Sequence, residues 1–103
     1  MKNCNYLLLG AAFYILTSIV SGADDEAGRN RAAICTACHG YGGISANDEW
    51  PNLAGQKPEY LVKQLMAYRD GTRDDPVMSP MAAGLTDADI NNIATWFSTL
   101  ETR

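Results

Sequence analysis

Residues 35–39 read Cys35-Thr36-Ala37-Cys38-His39, and this stretch decides the fold. The cysteines stand at i and i+3, so on a helical turn both thiols share one face. The imidazole follows at once and is carried to the same side. Cys-x-x-Cys-His is the attachment signature of haem c. The thiols reach two vinyl groups along one porphyrin edge as thioethers, and the histidine coordinates the iron. A thioredoxin-like Cys-x-x-Cys belongs to a strand–helix context, and no alternating strand precedes Cys35. A chance pair of buried core cysteines leaves the sole histidine and the export signal described below unexplained.

The rest of the chain narrows the function classes. At 103 residues it holds one domain at most. With 8 Lys+Arg against 12 Asp+Glu it lacks the basic face that nucleic acid requires. Three cysteines and one histidine fill neither a two-Cys, two-His nor a four-Cys zinc site. No phosphate-binding Gly-rich loop ending in Lys-Ser/Thr and no G-x-S-x-G elbow occurs.

Residues 1–23 read as a secretory signal peptide. Lys2 supplies the positive start, 7–20 is an uncharged, largely apolar run, and Ser21-Gly22-Ala23 offers small residues for cleavage. The competing reading, a retained anchor, is disfavoured because a spanning helix needs about 20 apolar residues. Cys4 precedes the apolar run and leaves with the signal. Cleavage near Ala23 leaves residues 24–103 as the single domain, with no membrane span. That domain keeps every acid and every base but Lys2, a net charge of −5. A domain so small needs a disulfide, a metal or another staple. A Cys35–Cys38 bond would close only a trivial loop. Burying on the order of 500 Å² of porphyrin contributes up to about 12 kcal/mol, which rivals the whole stability of a typical domain, about 5–15 kcal/mol. Haem is therefore a condition of folding.

Three helices are expected, and no strand. The first spans about Asp25 to Ala37, N-capped by Asp24 or Asp25. The second follows Pro58 and ends at Gly71, with Leu61, Leu65 and Tyr68 on one face. The third starts at Thr86 with Asp89 three residues on, a variant capping box, and carries Ile90, Ile93, Phe97 and Leu100 as its stripe, Trp96 beside it. Gly, Pro, Asn and Asp punctuate two long connections, and loops that long in a small domain are usually functional. The fold class is all-α, with loops wrapped around one haem.

A second axial ligand must come from elsewhere, because no second histidine exists. Met66 sits mid-helix and reads as core filler. Met78 lies in Asp75-Pro76-Val77-Met78-Ser79-Pro80-Met81, read as a proline-stiffened loop that can cross the far face of the haem. Met81, three residues on, is its rival.

The chain resembles the class I c-type cytochromes of the short bacterial periplasmic monohaem type, and one half of the bacterial dihaem cytochromes. The likeness runs over residues 24–103. It rests on Ala27-Gly28, Cys35-Thr36-Ala37-Cys38-His39-Gly40, Pro51-Asn52-Leu53-Ala54-Gly55-Gln56, Tyr60-Leu61, Met78-Ser79-Pro80, and Leu85-Thr86-Asp87-Ala88-Asp89-Ile90 leading to Trp96-Phe97. The resemblance implies crossed N- and C-terminal helices, with Gly28 giving Trp96 room. It implies Met78 as the ligand, since the family's methionine stands seven residues before that leucine. It also implies that the Pro51 carbonyl accepts the other ring N–H of His39. Tyr41 and Trp50 would wall the haem pocket.

The function these readings favour is one-electron transfer in the periplasm, between redox partner proteins, rather than catalysis. Iron held by His39 and Met78 has no open position for substrate. Two alternatives stand beside the free carrier: a cytochrome subunit permanently bound in a redox enzyme complex, and a haem protein with an open iron site. For a carrier, the docking patch around the haem edge would comprise Thr36, Ala37, Ser79, Pro80, Met81 and Ala82.

Overall fold

Continuous helical hydrogen bonding picks out four stretches of the chain in a computed structural model that describes residues 10–15 and 23–102. They are α1 (Ala23–His39), α2 (Pro58–Asp70), α3 (Met78–Ala83) and α4 (Asp87–Thr99). Among the described residues there is no strand, so the fold is all-α. The segment read as a signal peptide lies largely outside the described residues. None of the described helices is long and apolar enough to cross a membrane.

Four helix ends follow from local chemistry. Pro58 stands in the first turn of α2, where its missing N–H costs nothing, and Gly71 closes the helix at φ +83°. Thr86 caps α4: its hydroxyl accepts from the Asp89 amide at 3.1 Å, and the Asp89 carboxylate accepts from the Thr86 amide at 3.0 Å. Helix α1 runs through both cysteines to His39 and stops at Gly40, whose φ is +90°. A Cβ at Gly40 would collide with the Ile44 carbonyl, so only glycine makes this turn.

Two expectations need correction. Helix α1 begins at Ala23, so Asp24 and Asp25 lie inside its first turn instead of capping it. Met78 is not in a loop but opens α3. The Asp75-Pro76 pair starts that helix: Asp75 Oδ1 accepts the amides of Val77 and Met78 at 2.8 and 2.7 Å. Pro76, between them, has no N–H that needs a partner.

Helix α4 is the hub, packing against both α1 and α2, while α3 lies on α2. Ala32 of α1, Leu61 and Leu65 of α2, and Ile90, Ile93, Ala94 and Phe97 of α4 form the core. Leu100 and Trp96 pack against it from its edge. Arg31 of α1 reaches Asp89 of α4 at 3.1 Å. The Thr86 amide first, then its hydroxyl and Arg31, hold the Asp89 carboxyl below the usual carboxylate range. A carboxyl lowered in the fold stabilises above its unfolded pKa and loses that contribution as pH falls through the folded one.

Helix α1 packs tightly on α4 at Gly28. A Cβ there would stand 2.6 Å from the Asn92 carbonyl oxygen and 3.0 Å from Trp96 Cβ. Backbone cannot yield as a side-chain tip can. Overpacking of this kind costs about 1–3 kcal/mol, against at most about 1 kcal/mol gained in helix propensity from glycine to alanine. Gly28→Ala is therefore expected to lower the denaturant midpoint of the holoprotein. An unchanged or raised midpoint would show that the helices do not meet there.

Candidate haem site

The last two turns of α1 carry the Cys-x-x-Cys-His motif. Cys35 and Cys38 are both free thiols, each half-buried, and Cys35 packs against the core. Burial pushes the Cys35 thiol above its usual range, with Arg31 pulling the other way. His39 is the one buried polar side chain among the described residues, 8% exposed.

The loop after Gly40 is built to hold one carbonyl against that histidine. Gly43 accepts the amides of Leu53 and Ala54 at 2.8 and 3.0 Å, closing the loop at its base. The Ser45 amide donates to Asn52 Oδ1 at 2.7 Å, and the Glu49 and Trp50 amides both donate to Asn47. Gly55 ties the loop to α4 by donating to the Phe97 carbonyl at 2.9 Å. Pro51 lies between these ties, and His39 Nδ1–H donates to its carbonyl oxygen at 2.7 Å. A carbonyl oxygen only accepts, so the imidazole proton is on Nδ1. Nε2 then carries the lone pair and has no hydrogen-bond partner among the described residues. Two thiols one turn apart and an imidazole with a fixed tautomer are the donor set that haem c requires, so the residues present fit the group.

Met78 is half-buried and packs against the core, whereas Met81 is 40% exposed. Met66 lies at the edge of the core beside a shallow groove between α2 and α4 that contains none of Cys35, Cys38, His39, Pro51 and Met78. Tyr41 stands out from its loop, 97% exposed, and Trp50 is 41% exposed. Ala82, placed by the sequence in a surface patch, is instead fully buried.

The Cytochrome c family, described by that name, matches residues 26–101. The chain belongs to the cytochrome c family. Cytochrome c-554(548) of Halomonas halodenitrificans is 43% identical over 81 residues, covering 76% of this chain and 98% of that protein. The thiosulfate dehydrogenase electron acceptor of Thiomonas intermedia is 39% identical over 94 residues, covering 90% of this cytochrome but 41% of that protein. The crystal structure of reduced cytochrome c4 from Pseudomonas stutzeri superposes with a TM-score of 0.69 at 29% identity. That match covers 79% of this cytochrome and 50% of the c4 chain. The cytochrome thus spans about half the length of these two-domain-sized relatives and nearly all of the shorter one. The class I fold and the covalently bound haem c of the resemblance stand, and the protein is an electron carrier.

Two features of the site escaped the sequence reading. The hydrogen bonds that Asp75 and Ser79 make around Met78 were readable only as an Asp-Pro helix start. The tie from Arg69 to the α3–α4 connection and the start of α4 leaves no local signal, because its partners are 16 and 18 residues away.

Proposed function

We propose that the cytochrome is a periplasmic one-electron carrier whose iron is held by His39 and Met78, with Cys35 and Cys38 as the thioether residues. The observation that carries this reading is the Pro51–His39 hydrogen bond, which leaves Nε2 as the sole basic nitrogen of the ring. Bound haem supplies the reversible ferric–ferrous couple. Pro51 fixes the imidazole plane, and the Met78 thioether favours the reduced state. With His39 and Met78 both given to the iron, the chain would leave it no position for a substrate. The segment 1–23 is the export signal and 24–103 the mature domain, which places covalent attachment outside the cytoplasm.

The mature charge of −5 would steer a basic partner across about one Debye length, roughly 10 Å at 0.1 M salt. The second-order rate of electron transfer to a basic redox protein is expected to fall as ionic strength rises. A potentiometric titration should fit one electron, and the reduced protein should leave carbon monoxide unbound at neutral pH. Avid carbon monoxide binding would instead establish an open iron site.

A second reading is favoured by the Thiomonas relative, whose name makes it the acceptor of a dehydrogenase. Here the cytochrome is a permanently bound subunit of such a redox complex. Gel filtration of native extract separates the two: a small species supports the free carrier, and a stable heavy complex supports the subunit.

A further inference from the structure

The segment 73–79 is interlocked more tightly than a six-residue helix needs. Asp75 Oδ1 accepts two amides, from Val77 at 2.8 Å and from Met78 itself at 2.7 Å. In return the Asp75 amide donates to Ser79 Oγ at 3.0 Å, and the Ser79 amide donates to the Asp75 carbonyl at 3.1 Å. Ser79 Oγ–H donates onward to the Arg73 carbonyl at 3.3 Å. Arg73 is itself fixed to α2: its guanidinium donates to Gln64 at 2.6 Å and lies 4.5 Å over the Tyr68 ring. Beyond the other end of α3, Arg69 of α2 donates to the Leu85 carbonyl in the α3–α4 connection at 3.3 Å and to Asp87, the first residue of α4, at 2.6 Å. Ala82, the last residue but one of α3, is fully buried. The leading end of α3 is thus bolted to α2 through Arg73, and the bolt closes on the Met78 amide.

We infer that Asp75 is the positioning residue for the Met78 ligand. Its carboxylate locks the first turn of α3, so that the Met78 backbone, and with it the sulfur, is held at one place. The inference rests on Met78 being the sixth ligand. A competing ligand must push that turn aside before it can take the iron, and the two amide bonds to Asp75 resist the movement. Without them the turn swings more freely and the sulfur is displaced more easily.

The test is titration of the ferric holoprotein with imidazole, following loss of the charge-transfer band that marks methionine sulfur on ferric iron. Asp75→Ala removes a helix cap, and losses of this kind correspond to roughly 3- to 30-fold in an equilibrium constant. Imidazole is expected to bind that variant about tenfold more tightly than wild type. Asp75→Asn retains an acceptor oxygen at the same place and should stay within about twofold. Thr86→Ala removes a comparable cap from α4, outside the hydrogen bonds that surround Met78. It should lower thermal stability and leave imidazole affinity unchanged. Wild-type affinity in Asp75→Ala would overturn the proposal, as would an equal shift in Thr86→Ala, which would mark general loosening. Met78→Ala separates this failure from that of the underlying reading. If it keeps the band, the sixth ligand is wrong and the proposal falls with it. If it lacks the band, the imidazole result speaks to Asp75 alone.

Discussion

Cys38→Ala is expected to cut the yield of folded holoprotein below about one tenth of wild type, because a domain this small is marginal without a staple. The reason lies in the core. Of the nine buried apolar residues, Ala32, Ala54, Ala82 and Ala94 are alanines, and Phe97 and Ile90 are the only large side chains wholly out of water among the described residues. Such a core cannot offset the entropy of ordering about 80 residues at about 1–2 kcal/mol each for the backbone alone. Helix α1 ends on the Cys-x-x-Cys-His motif, so without covalent haem its last turns and the 40–55 loop would lack the staple proposed for them. Cys35→Ala should behave alike. Intact mass, haem retention after acid-acetone extraction and circular dichroism of the purified chain measure the effect. A normal yield of folded protein from either variant would contradict it.

The second large effect is at Ala82. Its side chain is fully buried on α3. Ala82→Glu would force a carboxylate into a site closed to water, and an unpaired buried charge costs about 3–5 kcal/mol. That is a large part of a typical total of about 5–15 kcal/mol. The variant is expected to accumulate poorly and to unfold at far lower denaturant. It therefore cannot report on partner docking. Met81, one position back and 40% exposed, can. Met81→Glu should fold like wild type and slow electron transfer to a protein partner while leaving the potential nearly unchanged. A stable Ala82→Glu would show that α3 does not pack as described, and an unaffected rate in Met81→Glu would place docking elsewhere.

The contrast between neighbours shows what the sequence could disclose. The attachment motif, α2 between Pro58 and Gly71, and the Thr86–Asp89 box are local patterns, and local patterns were legible. Helix α3 was misread as loop because two prolines in five residues look like breakers. Pro76 in fact follows a capping aspartate, where proline is welcome. Ala82 was misread for a related reason. Once α3 is taken as loop, a small residue beside Met81 looks like surface, whereas on a helix it can turn inward. The Pro51 contact could come only from resemblance, since it uses a backbone oxygen that any residue would carry. Gly40 could be marked as a turn, but its necessity appears only when Ile44 folds back over it.

The central claim is that Met78, and not Met81, completes the iron coordination begun by His39. The most direct measurement is the near-infrared-edge absorption of the ferric holoprotein in wild type, Met78→Ala and Met81→Ala, read together with the midpoint potential. The account predicts that Met78→Ala loses the sulfur-to-iron charge-transfer band and drops in potential, while Met81→Ala keeps the band and a near-wild-type potential. A band that survives in Met78→Ala, or that vanishes in Met81→Ala, would contradict it.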